Sequence, residues 1–389
     1  MTLYFDDHAT TPCDPRVVSA MTPFFTAQFA NPASTAHGPG RDAADAVEHA
    51  RVQVAALLNA PAGDVVFTSG ATESNNLALY GVARAAAALG SRRRIITLPT
   101  EHKAVLEPCR DLGEQGFDVV YAPVDRFGTV DLTALEELLT ADTLLVSIQA
   151  ANSEIGTIQP VDQIGALTRA ADALYHCDAT QFVGRSLIDW QALPIDLLSL
   201  SAHKLYGPKG IGALLVRPSL RRGGLQPLMR GGSQEGGLRP GTHNVPAVVG
   251  FGEAAALAVQ EGAAESERVA QLRDQFEAAL RAALPEARFN GHPERRLPGN
   301  SSVTLPGLEA DALLMHLPGF ALSLGSACNS GALEPSYVLT AVGLSRDDAD
   351  STFRVGLGRF TTAASVDELA SAIVAGARRL TELSDAFPG

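Results

Sequence analysis

Between residues 64 and 216 the apolar positions fall into short continuous runs, separated by stretches in which they recur every three or four residues. The runs 64–68, 94–98, 117–122, 143–148, 175–178, 196–201 and 212–216 are short enough for strands, and Leu144-Leu145-Val146 is apolar on both alternations. A strand apolar on both faces belongs to a sheet covered on both sides. Helical spacing appears at Val47, Ala50, Val54, Leu57 and Leu58, and again over 132–140 and 161–173. Strands alternating with helices predict an α/β fold with a mostly parallel central sheet covered by helices.

From about Phe251 the pattern changes: a long helix reaches Leu284, then come fewer strands and a last helix over 365–383. Ser365-Val366-Asp367-Glu368 reads as its capping box. The expected organisation is a large domain, 15–259, and a smaller α+β domain built from 1–14 and 260–389. Arg230-Gly231-Gly232-Ser233 to Gly241 is rich in glycine but carries charge, which predicts a functional loop instead of a linker.

Composition narrows the function classes. The 389 residues carry 43 Asp+Glu against 30 Lys+Arg, a net charge of -13, which argues against a nucleic-acid coat or an anionic-membrane binder. No run of about 18 apolar residues predicts a membrane span. The acidic start, Met-Thr-Leu-Tyr-Phe-Asp-Asp, is unlike a signal peptide. Four cysteines (Cys13, Cys109, Cys177, Cys328) form neither a disulfide framework nor a metal-ligand spacing. A reduced, cytoplasmic protein without a metal is expected.

Candidate chemistry sits where the apolar runs end. After Thr68 comes Ser69-Gly70-Ala71-Thr72-Glu73-Ser74, a turn leading into a helix, whose N-terminal N–H groups suit a phosphate. Asp178 closes one run, and Lys204 closes another 26 residues later. A lysine there can serve as an amine nucleophile, and a neighbouring Asp can pair with a pyridinium nitrogen. Phosphate cradle, acid and amine together match the needs of pyridoxal 5'-phosphate. Lys103 is the rival amine, on a shorter run. His102 beside it can stack on a ring or move protons. Cys328 lies among small residues in Gly325-Ser326-Ala327-Cys328-Asn329-Ser330-Gly331, a setting for an accessible thiol. Arg354 can grip a carboxylate, with Arg359 as its rival.

The motifs Gly70-Ala71-Thr72-Glu73, Thr100-Glu101-His102-Lys103, Asp178-Ala179-Thr180-Gln181, His203-Lys204, Arg239-Pro240-Gly241-Thr242 and Gly325-Ser326-Ala327-Cys328 are highly specific jointly. Through them nearly the whole chain resembles the pyridoxal-phosphate cysteine desulfurases, in the group serving iron–sulfur cluster assembly and tRNA thiolation. The resemblance implies the type I aminotransferase fold and a homodimer. It implies that Lys204 carries the cofactor as a Schiff base, Asp178 pairs with the ring nitrogen and Gln181 approaches the ring hydroxyl. Ala71, Thr72, Ser201 and His203 would hold the phosphate, and Thr242 would reach the phosphate of the other subunit. His102 would stack on the ring and act as acid or base. Arg354 and Asn152 would bind L-cysteine, and Cys328 would take its sulfur as a persulfide for an acceptor protein. Ser153 stands where the family has a ring-contacting Asn, and the stretch beyond Leu383 is shorter than in iron–sulfur members, which leaves the acceptor open. A selenocysteine lyase, another pyridoxal-phosphate lyase or an aminotransferase on the same scaffold are the alternatives, and a non-enzymatic scaffold is a more distant one.

Overall fold

The computed structural model describes residues 2–324 and 335–386. Its strands, in chain order, are β1 (Leu3–Tyr4), β2 (Val65–Thr68), β3 (Arg94–Thr97), β4 (Asp118–Tyr121), β5 (Thr143–Ser147), β6 (Leu174–Asp178), β7 (Leu197–Ser201), β8 (Gly212–Val216), β9 (Arg288–Asn290), β10 (Asn300–Thr304), β11 (Phe320–Ala321), β12 (Ser323–Leu324) and β13 (Thr352–Gly356). All seven expected runs are strands, within two residues at each end.

The seven form one sheet in the order β2-β8-β7-β6-β5-β3-β4. Only β8 runs against the rest: it is antiparallel to both β2 and β7, and the remaining pairs are parallel. Adjacent residues serve opposite faces, as the pleat demands. Phe67, Ile96, Val146 and Leu198 enter one apolar core, and their neighbours Val66, Ile95, Leu145 and Leu197 enter the other. This two-sided burial is why the runs are apolar without alternation.

A four-stranded antiparallel sheet, β12-β13-β10-β9, and the parallel pair β1-β11 lie beyond the large sheet. Around them is a separate apolar core containing Phe5, Phe276, Phe353 and Ile373. Each fully buried side chain of this size contributes about 1.5–3 kcal/mol relative to exposure.

The long helix spans Val245–Ala283, 39 residues, and starts six residues before the expected position. Asn244 caps it, its side chain accepting from the Ala247 N–H at 3.3 Å, and Pro246 sits in its first turn. Val248, Phe251 and Ala255 pack into a core of the large sheet, whereas Val269, Leu272 and Phe276 pack into the separate one. The last helix runs Ala363–Ala386, which corrects the expected cap at Ser365. Thr362 begins it: Thr362 Oγ1 accepts from Ser365 N (3.2 Å), and Ser365 Oγ accepts from Thr362 N (3.1 Å). Reciprocal bonding lets Ser365 occupy the third helical position, where its hydroxyl does the work of a capping-box Glu.

Candidate active site

Six of the seven strands point one way, so their carboxyl ends share an edge. Thr68, Asp178 and Ser201 end β2, β6 and β7 there, and the amino end of reversed β8, Gly212, registers against both Thr68 and Ser201. Open α/β sheets bind ligands at this edge. A cavity of about 500 Å³ opens there, lined by residues of the strand ends together with His8, Ala9, Thr10, His102, Tyr337 and Arg354.

One end of the cavity is shaped for an anion. Gly70 has φ +151° with ψ 180° and leads into the helix Ala71–Ala88, whose N-terminus no side chain caps. That backbone conformation is essentially restricted to glycine. Gly212 is required too: a Cβ there would lie 2.5 Å from the Leu200 carbonyl oxygen and 2.7 Å from the Gly70 Cα. Glu73 is drawn aside, accepting from Ser69 N (2.7 Å) and from Arg239 Nε (2.9 Å), which leaves the first-turn N–H groups to the cavity. Ser201 and His203 line the same end. Burial, helped by the charges of Lys204, Lys209 and Arg185, pushes the His203 pKa down to about 4. Its ring is therefore neutral at pH 7 and offers an N–H instead of a charge. Nδ1 lies 3.0 Å from Thr10 Oγ1.

The amine and the acid come from adjacent strand ends. Lys204 sits in the turn Ala202–Lys204 directly after β7. Its ammonium donates to the His8 carbonyl and, at 2.7 Å, to the Ala9 carbonyl. Asp178 Oδ2 accepts from Asn75 Nδ2 at 2.7 Å, and Oδ1 accepts from Thr180 N at 3.0 Å. Gln181 Nε2 donates to the His8 carbonyl (2.9 Å), while its Oε1 accepts from His8 Nδ1 (3.2 Å). Burial and the nearby cations hold the His8 pKa well below the usual imidazole range. With its proton on Nδ1, His8 keeps a buried Nε2 lone pair that has no partner among the described residues. Buried Thr180 Oγ1 and Arg354 Nε are in the same position, and all three residues line the cavity. Buried polar atoms are rarely left unmatched, so these mark a surface built for a polar ligand.

At the opposite end, Arg354 projects from β13 and is 2% exposed. Its guanidinium donates to Asp6 (2.7 Å), to Ser323 Oγ (3.2 Å) and to the Ser153 carbonyl (3.0 Å). Ser153 lines the cavity; Asn152, expected at the substrate, does not. Asn152 instead builds the turn: Nδ2 donates to the Thr100 carbonyl (2.9 Å), and Oδ1 accepts from the Glu154 and Ile155 N–H groups. His102 caps the helix Lys103–Glu114, its Nδ1 accepting from Ala104 N at 3.0 Å. That bond places the neutral ring's proton on Nε2. Burial pushes the Glu154 pKa up to about 7, against the opposing pull of Ser336, Arg354, His102 and Lys103. Ser336 Oγ donates to Glu154 at 2.5 Å, and the Tyr337 hydroxyl donates to the Glu101 carbonyl at 2.8 Å.

Cys328 lies outside the described residues. On one side of it Ser323 pairs in register with Arg354, and on the other Ser336 and Tyr337 make the bonds just given. Thr242, expected to reach another subunit, is exposed and does not line this cavity. Arg359, the rival to Arg354, is engaged elsewhere by Asp14 and Glu265, both at 2.7 Å.

Residues 3–369 match the family model described as aminotransferase class-V. The "Cysteine desulfurase IscS" of Anaeromyxobacter sp. (strain Fw109-5) is 48% identical over 387 residues, covering 99% of this chain and 95% of the relative. The chain is a cysteine desulfurase of the class-V aminotransferase family. The "Cysteine desulfurase, mitochondrial" of Drosophila melanogaster is 47% identical, over 98% of this chain and 82% of the relative. Among solved structures, a "NifS-like protein" superposes with a TM-score of 0.89 at 38% identity, over 96% of this chain and 98% of the other.

Cysteine desulfurases depend on pyridoxal phosphate, and the cavity fits that group on its own terms. It has an uncapped helix N-terminus for the phosphate, an amine and a carboxylate at neighbouring strand ends, and buried donors and acceptors left without partners. The chain contains only three lysines, Lys103, Lys204 and Lys209, and all three line the cavity. Sequence reasoning missed Asp6, His8, Ala9, Asn75 and Glu154. Nothing local ties Asp6 and His8 to partners more than 170 residues away.

Proposed function

We propose that this desulfurase converts L-cysteine to L-alanine and stores the sulfur on Cys328 as a persulfide. The observation that carries the reading is the Lys204 amine emerging beside Asp178 in one cavity with an anion-binding helix end. Ala71, Thr72, Ser201 and His203 would hold the phosphate, Asp178 the ring nitrogen and Gln181 the ring hydroxyl. When bound, pyridoxal phosphate supplies an electron sink conjugated to the substrate Cα.

The chain's residues do the rest. Arg354 orients the substrate carboxylate, with its Nε–H still to offer; Asp6 keeps the guanidinium in place. Lys204 Nζ would take the Cα proton, and His102, its Nδ1 engaged by Ala104 N, would serve through Nε2 as acid or base. Cys328 thiolate attacks the substrate sulfur: an S–S bond forms, the Cβ–S bond breaks, and the carbon left behind takes up a proton. The net change, Cys–SH plus L-cysteine to Cys–S–SH plus L-alanine, balances without an external oxidant.

The reading extends to a homodimer in the cytoplasm, to a division into residues 15–259 against 1–14 with 260–389, and to a sulfur-acceptor protein that takes the persulfide. The exposed Thr242 supports the dimer, and the separate apolar cores support the division. The test is the Cys328→Ser variant. It should keep the cofactor's visible absorption and its response to cysteine, but form no persulfide and release alanine at under about 1% of the wild-type rate. Persulfide formation at the wild-type rate would exclude Cys328.

A further inference from the structure

We propose that Lys209 is a further binding residue of this site, supplying the fixed positive charge that faces the phosphate monoester at the Gly70 end; this rests on the pyridoxal phosphate reading above. The first support is composition. Where this chain needs a surface cation it uses arginine: 27 of its 30 basic residues are Arg. An exposed lysine on the cavity wall is therefore not a generic surface charge.

The second support is construction. Lys209 follows Tyr206, a bulky residue held at φ +62°, and precedes Gly210 at φ +83°. A left-handed tyrosine is costly and persists only where its surroundings impose it. Here they do: Tyr206 N donates to Thr11 Oγ1 and its carbonyl accepts from Asp14 N, both at 2.9 Å. Its hydroxyl accepts from Arg359 N at 2.5 Å, and the Arg359 guanidinium lies 4.3 Å from the ring centre. This turn carries the chain from Lys204 back to the cavity wall, so that Lys209 lines the cavity shared by Gly70, Ser201 and His203 and acts on His203 through its charge.

The third support is charge. A phosphate monoester carries about -1.5 to -2 near pH 7. His203 is neutral there, Arg239 is paired with Glu73, and the Lys204 ammonium is turned onto two carbonyls. Lys209 lies close enough to depress His203 and has no acid partner among the described residues. Lys103, the other lysine of the cavity, lies close enough to act on Glu154 at the opposite end, so Lys209 is the cation left for the anion, acting with the helix end.

The test compares the equilibrium binding of pyridoxal phosphate and of pyridoxal, which lacks the phosphate, by visible absorbance. It uses the full-length wild type, Lys209→Ala and Lys209→Arg, with thermal melts as a check on folding. Lys209→Ala should weaken pyridoxal phosphate about tenfold and leave pyridoxal unchanged. Its dependence on salt should flatten, and Lys209→Arg should recover most of the loss. Equal weakening of both vitamers would show a damaged turn and overturn the proposal, as would unchanged binding of pyridoxal phosphate. A wild type that binds neither vitamer would sink the cofactor reading itself.

Discussion

Glu154 is a carboxyl group that folding forces to prefer its proton, and replacing it with Gln isolates that preference. Its pKa rises from an ordinary 4.5 to about 7, chiefly through burial. A carboxyl raised in the folded state binds more protons folded than unfolded between those values, so stability falls as pH climbs through the window. Below 4.5 both states are protonated, and above 7 both are ionised with the full penalty in place. The whole window corresponds to roughly 3 kcal/mol, of which about 2.5 lies between pH 5 and pH 8. Gln has nearly the same shape, can still bond Ser336 Oγ, and never ionises. Glu154→Gln should therefore gain stability relative to wild type on going from pH 5 to pH 8. For a chain of this length the difference in Tm between variant and wild type should shift by about 3 °C in the variant's favour. Paired thermal melts at the two pH values, at constant ionic strength, read this directly. A variant whose offset from wild type is the same at both pH values, or shifts the other way, would refute the account of a proton held on Glu154.

Two further substitutions test the architecture under the site. Gly212→Ala would drive a methyl group into the Leu200 carbonyl and the Gly70 turn; it should cost about 1–3 kcal/mol and weaken cofactor retention. Gly63→Ala, where a Cβ meets nothing within 4 Å, should stay within about 0.5 kcal/mol of wild type, and equal Tm values for the two variants would contradict the packing argument. Asn75→Ala removes the amide bonded to Asp178 at 2.7 Å; a loss of about 1–3 kcal/mol is expected, together with a shifted cofactor absorption band. A band and Tm identical to wild type would show that Asp178 does not depend on Asn75.

Strand positions were readable because sheet burial leaves a local trace. Leu197 and Leu198 serve opposite cores, so neither position tolerates a polar residue. The ends of those strands were readable for the same reason: Asp178 and Lys204 interrupt apolar runs. What carried no local trace were contacts closed by the fold. The carbonyls of His8 and Ala9 reach Lys204 across 196 and 195 positions, and a backbone carbonyl has no sequence signature at all. Asn75 lies within an unremarkable helical stretch, and only the fold brings it to Asp178.

In the loop over 230–241 the charge works through structure. Its Glu235 side chain is buried, and its φ is +50°. It accepts from Arg51 (2.8 Å), from His243 (2.6 Å) and from the Phe67 N–H (2.9 Å); burial pushes its pKa up, but these bonds and the Arg51 charge together pull it down to about 2. That cluster buttresses the strand leading to Gly70. The charge that looked functional in the sequence supports the site from behind.

The confinement of every ε-amine to one cavity also governs how this protein can be handled. Amine-coupling resins, succinimidyl dyes and aldehyde fixatives find no decoy lysines on the rest of the surface, so reagents that are mild labels for most proteins act here as active-site modifiers. Immobilisation through lysine-sparing routes such as a terminal tag avoids blocking the very groups under study.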